Sequence, residues 1–446
     1  MPRVRSVFTL EEDSMELESA IVRKAAWRIL PIIMICYFAA FLDRVNIGFA
    51  ALTMNQDLGL TASQFGFGAG IFFLGYVLFE LPSNIVLSKV GARRWIARIL
   101  ITWGILSALT AFVWSPTSFY IVRVLLGAAE AGFFPGIIFF MTLWFPAQYR
   151  GRMFATFNIA VPFSTIIGAP LSGYVIGAMN GVAGFSGWQW MFMLEALPAI
   201  IMGFVVFFWL PDTPEKATFL TPGEKTILMN RLATEKTARE AKEKFTIGSA
   251  LRDPRVLLMC FIAVGLVMGT TGIAIWMPQF VKEFGLSNMQ TGFVTAIPAI
   301  FMAISMILVA RSADRTGERV WHAAGPFLVS AAGFTLAAFA PSPLVSLLGL
   351  TIGAAGIGGA SPNIWIFPST LLTGSAAAAG IALINSVGST GGFFGPSIIG
   401  WVRDATGGFQ GSLLFLAFAM LLTAIAILIL GRSMREMMQA ADARRV

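Results

Sequence analysis

Apolar runs of about 20 residues recur along the whole chain, and each is long enough to cross a membrane once as a helix. Hydrophobic residues make up 57% of the 446 positions and charged ones 12%, a balance that leaves no workable surface for a soluble globule. The runs predict twelve spans: 27–52, 63–87, 95–114, 118–143, 152–178, 188–210, 255–280, 289–310, 321–340, 343–365, 374–402 and 411–431. Residues 1–26 carry Glu11, Glu12, Asp13, Glu16 and Glu18 and lack the short apolar core of a signal peptide, so a soluble tail is expected there. Cys36 and Cys260 both lie inside apolar runs, with no disulfide or metal-ligand spacing.

The connections alternate in charge. All but four of the 31 Lys and Arg fall in alternate connections or at their borders; the exceptions are Arg44, Arg123, Lys282 and Arg403. That asymmetry predicts a multi-pass membrane protein with both termini in the cytoplasm. Because the cations are spread loop by loop, the net charge of +8 does not mark a nucleic-acid partner. The hydrophilic segment 211–254 divides the spans six and six, and its Thr221-Pro-Gly-Glu224 pattern predicts a capped surface helix. The expected units are a tail (1–26), an N-terminal bundle (27–210), a cytoplasmic linker (211–254), a C-terminal bundle (255–431) and a tail (432–446).

The halves repeat. VGARRW (90–95) matches TGERVW (316–321), and LGAAEAG (126–132) matches IGAAGIG (352–358), both at an offset of 226. At an offset of 227, Asn158, Gly168 and Gly173 meet Asn385, Gly395 and Gly400. The expected fold class is therefore an all-α polytopic membrane protein, two pseudo-symmetric six-helix bundles around a central cavity. Gly66, Gly70, Gly173 and Gly177 are expected to let helices approach closely. Glu130 corresponds to Gly356, and Arg44 to Thr270 or Thr271. A shared structural need would place charge in both copies, so these charges point to a task of the N-terminal bundle.

A charge at mid-bilayer costs roughly 3 kcal/mol on insertion scales, so each needs a partner or a cavity. Asp43 and Arg44 are neighbours that point about 100° apart on a helix, so they cannot neutralise each other directly. Arg123 and Glu130 are seven residues apart on one face of span 4. Burial favours the neutral form of a carboxyl group, which suits Glu130 to carry a proton; a fixed ion pair with the arginine of span 1 is the alternative. Arg123 can pair with Glu130 or Asp43, or contact substrate. Glu80 is expected to brace the basic loop after span 2, and Glu195 to be structural. Tyr76, Trp276, Gln279 and Asn385 lie at cavity depth.

These residues carry a family resemblance. FLDRVNIGFA in span 1, FELPSN, RVLLGAAEAGFFPG in span 4, LPDTPEKATFL after span 6 and INSVGSTGGFFGP in span 11 resemble the major facilitator superfamily, in its bacterial anion:cation symporter group. Tartrate, phthalate and hydroxyphenylacetate carriers are similar to this chain, tartrate-type carriers above all. The resemblance implies symport of a small organic carboxylate with protons by a monomer in the lipid bilayer, with no cofactor beyond the proton gradient. It implies that Arg44 grips the carboxylate with Tyr76 and Asn385; Trp276 and Gln279 are candidate substrate contacts by their depth alone. It also implies that Asp43 and Glu130 carry protons tuned by Arg123. The superfamily's loop motif is matched by Gly91, Arg93 and Arg94 in the first half, where Ser88 and Lys89 replace the usual Asp-Arg. In the second half it is matched by Asp314, Arg315, Gly317 and Arg319. GAPLSG (168–173) and GGFFGPSIIG (391–400) keep a drug antiporter in play. A sensor that binds without transporting is the alternative of another class. No metal-binding His cluster, GxSxG or Cys/His arrangement suggests an enzyme.

Overall fold

The computed structural model describes residues 2–240, 253–368 and 375–443, all helix and short connections with no strand among them. The first half contains α1 (Pro2–Asp57), α2 (Ala62–Val90), α3 (Ala92–Leu109), α4 (Pro116–Glu130), α5 (Phe133–Trp144), α6 (Ala147–Asn158), α7 (Ala160–Ala178) and α8 (Gly187–Trp209). Helix α9 (Pro222–Glu240) follows as the linker helix, and 241–252 lie outside the described residues. The second half contains α10 (Pro254–Lys282), α11 (Asn288–Thr316), α12 (Val320–Ala338), α13 (Pro343–Ile364), α14 (Ser375–Ser389), α15 (Gly391–Thr406) and α16 (Phe409–Ala443).

Eleven stretches among the described residues are long and apolar enough to cross a membrane, with α4–α5 and α6–α7 each forming one stretch. The span expected over 374–402 is instead divided at Thr390 into α14 and α15, each too short to qualify alone. The expected tail also differs. Residues 2–26 continue α1 as helix, and Ile21, Val22 and Ala25 are buried because α9 and its connection cover them with Leu220 and Leu228. Lys24 donates to the Glu224 carboxylate at 2.8 Å and holds that carboxyl below its ordinary value. Thr221 and Glu224 cap α9 reciprocally, as their spacing predicts.

Within the first half α1 packs on α7 and α8, α2 on α4, and α3 on α8; within the second, α12 packs on α13 and α16, and α10 on α14, α15 and α16. The halves meet along α2–α15, α7–α11 and α1–α10. Their backbones nearly touch where a side chain is missing. A Cβ on Gly66 would strike the Pro396 carbonyl, one on Gly173 would meet Asn288 and Gly292, and one on Gly70 would meet Phe393. Gly177, expected to do the same, has nothing within 4 Å and is no packing glycine. These approaches cluster at the end that carries the turns at 58–61, 284–287 and 407–408, called here the hairpin end. Asp404 of α15 clasps it by capping α2 across the interface, accepting from the Ala62 and Ser63 amides at 3.1 and 2.7 Å.

Candidate functional site

The site begins with a break in the fourth span. Pro135 has no amide hydrogen, so the carbonyl of Ala131, four residues earlier, has no helical donor. Ser83 of α2 supplies one, donating from Oγ at 2.6 Å, and the Trp95 indole holds Ser83 in turn at 3.0 Å. Gly132 completes the break with φ +87°, a left-handed conformation natural to glycine. The equivalent stretch of the second half, around Gly356, runs through α13 without interruption. Helix α4 therefore ends at Glu130, leaving that carboxylate at a helix C-terminus in the centre of the first half.

Arg44 of α1 reaches Glu130 there. Its Nε donates to Oε1 at 2.9 Å and its Nη2 donates to the same oxygen. The Glu130 side chain is 1% exposed and that of Arg44 28%. The ion pair posed as the alternative to proton carriage is thus formed in this state. The guanidinium also lies 5.2, 5.9 and 5.7 Å from the ring centres of Phe41, Phe72 and Tyr76, in range of cation–π attraction. Glu130 Oε2 has no donor among the described residues.

Asp43 points elsewhere, as the helical angle between neighbours requires. It accepts from the Trp103 indole at 2.9 Å, from Asn46 Nδ2 at 3.2 Å and from Ser107 Oγ. Arg123 is buried, donates to the Ala69 carbonyl at 3.3 Å and lies 4.9 Å from the Phe72 ring centre, on which Arg44 also stacks. Among the described residues it forms no direct ion pair, but its charge acts on both Asp43 and Glu130. Two acids and two arginines therefore offset one another, with the Phe72 ring beside both cations.

Tyr76 stands with this group; Glu80, one turn further along α2, faces the other half rather than the basic loop. Asn385 Nδ2 and Ser386 Oγ of α14 both donate to it at 3.4 Å. The expected bracing role of Glu80 is thus corrected, because α14 and not the loop offers it donors, and Asn385 reaches the site through Glu80. Trp276 is not brought to Arg44. It is fully buried where the halves meet, with its indole donating to the Pro396 carbonyl at 3.1 Å and its ring edge-on to Phe65. Gln279 lies towards the hairpin end and accepts from Arg403 at 3.0 Å.

The loop-motif residues sit away from this centre, at the linker end. Gly91 joins α2 to α3 with φ +96°, and the Arg93 amide donates to Asp212 of the LPDTPEK segment at 3.0 Å. Arg94 is exposed. In the second half Gly317 ends α11 with φ +69°, and Arg319 bonds Asp314 at 2.6 Å and Asn363 at 3.3 Å. Asp314 and Arg315 are exposed. No group of three or more His, Cys, Asp or Glu among the described residues is arranged to hold a metal.

Sequence reasoning missed Trp103 and Ser107, which hold Asp43, and the Phe41 and Phe72 rings beside Arg44. Asn46, three residues after Asp43 and so on its face, was legible from helical spacing, and it does bond Asp43.

Two helical halves, closed over each other at one end and enclosing a buried arginine–carboxylate group, form the architecture of a multi-pass membrane transporter. The chain belongs to the Major Facilitator Superfamily, whose model matches residues 33–396. That family consists of transporters, and the chain is not an enzyme. It is 52% identical over 433 residues to a candidate tartrate transporter of Agrobacterium vitis, with 96% of each chain covered. It is also 39% identical over 408 residues to a quinolone resistance transporter of Acinetobacter baumannii, covering 91% of this chain and 94% of that one. In fold it resembles the inward-open conformation of the xylose transporter XylE from E. coli, with a TM-score of 0.73 at 16% identity, covering 90% of this chain and 95% of that one.

Proposed function

We infer that the chain takes up a small organic carboxylate together with protons, by alternating access of the central site. The observation that carries this reading is that Arg44 already holds a carboxylate while keeping a partly open face. An arginine fork binds a carboxylate through paired donors, so a substrate can take the place of Glu130 once Glu130 is neutralised by a proton. Proton carriage and ion pairing then become two states of one residue. Asp43 is the second proton site, Arg123 balances both acids, and Tyr76 with Asn385 borders the substrate; Trp276 and Gln279 act through the closure of the halves. The loop motif residues Gly91, Arg93, Arg94, Asp314, Arg315, Gly317 and Arg319 brace each half at the linker end.

The remaining architecture follows the same reading. Helices α14 and α15 together form the eleventh span in chain order, broken at Thr390, and bring the count to twelve. The basic connections place both termini and the linker in the cytoplasm of a bacterial cell, with the chain in its inner membrane and acting as a monomer without a cofactor. The hairpin end then faces outwards and is shut. The relative named for tartrate supports an acid substrate, and the relative named for quinolone resistance favours a second reading, proton-driven export of a drug or metabolite.

The test is uptake of labelled tartrate and other small hydroxy acids into proteoliposomes with and without an inward proton gradient. Accumulation above equilibrium only with the gradient is expected. A carrier that concentrates substrate on the side from which protons leave is an antiporter, and that result would replace import by export.

A further inference from the structure

Arg98 lies in the first two turns of α3, inside the stretch Ala92–Phe112 that is long and apolar enough to cross a membrane. A charge at that depth needs a partner. Among the described residues Arg98 has no acid or other acceptor: its guanidinium makes no hydrogen bond or ion pair, and its Nε is buried without an acceptor. Thr102, one turn on, turns its hydroxyl to the Arg98 carbonyl, donating at 2.8 Å. Asp212, the acid joined to the start of α3, is already held by the Arg93 amide at 3.0 Å and by the Arg93 and Lys216 side chains, each at 3.6 Å. What Arg98 does meet is a ring. Its guanidinium carbon lies 3.9 Å from the centre of the Trp95 ring, and the Trp95 indole is fixed by its bond to Ser83. The stack holds the cation in one place but leaves its charge and its donors unmatched.

The side of α3 that carries Arg98 is turned away from the protein. With 100° between neighbours, Arg94, Arg98, Thr102, Ile105 and Leu109 share one side of the helix. Ile105 and Leu109 are 47% and 46% exposed, and Arg94 is exposed too. The opposite side carries Ile96, Leu100, Trp103 and Ser107, all buried. In a membrane the exposed side is covered by lipid. Ile105 and Leu109 lie along the acyl chains, and the two arginines stand where that apolar stripe meets the charged linker end, at the depth of the headgroups.

We propose that Arg98 and Arg94 form a binding site for the headgroup of an anionic phospholipid, with its phosphate on the guanidinium of Arg98 and its acyl chains along Ile105 and Leu109. Trp95 is the platform that aims the guanidinium. A planar fork of donors matches a pair of phosphate oxygens. Two cations on one face with no acid between them favour a headgroup of net negative charge over a zwitterionic one, whose own cation they repel. The occupant is a lipid and not a soluble anion because the site opens on the lipid-covered side of the helix. The binding does not rest on the transport reading. Only the choice of the cytoplasmic leaflet rests on the orientation proposed above.

The test uses the full chain in phosphatidylcholine nanodiscs containing a trace of photoreactive phosphatidylglycerol or of photoreactive phosphatidylcholine with the same acyl chains. The labelled residues are located by peptide mass spectrometry. The anionic probe is expected to label α3 between Arg94 and Leu109 at least about fivefold more than the zwitterionic probe, the weight of one cation at an anionic headgroup. That excess should vanish in Arg98→Gln and shrink as salt is raised. Inorganic phosphate at matched ionic strength should not compete. Equal labelling by the two probes, or an excess that survives in folded Arg98→Gln, overturns the site. If Arg98→Gln does not fold, the salt series on wild type decides: an excess indifferent to salt comes from acyl-chain packing and overturns the proposal. Competition by inorganic phosphate overturns the lipid as occupant and makes this a soluble-anion site.

Discussion

Replacing Glu130 by Gln separates a proton carrier from a fixed ion pair. Glu130→Gln preserves the shape of the side chain and removes its charge, mimicking the protonated form permanently. Removing one partner of a fully buried ion pair costs roughly 3–5 kcal/mol. Here the cost should be smaller, because the Arg44 side chain is 28% exposed and stacks on Phe41, Phe72 and Tyr76. Gln also keeps an oxygen to accept from the guanidinium. The loss then stays near the weight of one hydrogen bond to a charged group, about 1.5–3 kcal/mol. The variant should fold, and its freed Arg44 should bind substrate. It should exchange labelled for unlabelled substrate across proteoliposomes, since exchange needs only the loaded carrier to reorient. It should lose concentrative uptake, since the empty carrier cannot release the proton and return. Counterflow and gradient-driven uptake are measured on the same reconstituted variant. Intact gradient-driven accumulation would remove Glu130 from the proton path and leave Asp43. A joint collapse of folding, binding and exchange would make the pair a fixed structural link.

Arg44→Lys should weaken substrate binding by at least about tenfold, or 1.4 kcal/mol, because lysine lacks the planar pair of donors; near-normal affinity by calorimetry would show that Arg44 only balances Glu130. Gly66→Leu should insert normally yet abolish uptake, because its side chain meets the Pro396 carbonyl and the Trp276 ring where the halves close; wild-type uptake would show that this contact is dispensable. A reporter fused after Val446, or inserted beside Glu235, should read cytoplasmic; periplasmic activity at both would overturn the orientation.

The membrane class and the halves were legible because apolar length and charge alternation follow directly from bilayer physics. The candidate site charges stood out because they occur in one copy of the repeat. Their partners were hidden because contacts between distant helices leave no period in the chain. Glu80 meets Asn385 and Ser386, over 300 residues away, and nothing near Glu80 announces them. Trp276 lay at the right depth for a cavity, but depth does not tell which face of a helix is buried against a neighbour. The break after Glu130 was written in Gly132 and Pro135, whose effect needed Ser83 to become visible.

The central claim is that the acid and the proton enter together. The direct measurement is the pH of a weakly buffered medium when substrate is added to proteoliposomes that start without a proton gradient. The account expects the medium to turn alkaline as labelled substrate enters, in proportion to the substrate taken up, and expects no pH change with Glu130→Gln. Substrate entry with no pH change, or with acidification, would contradict it.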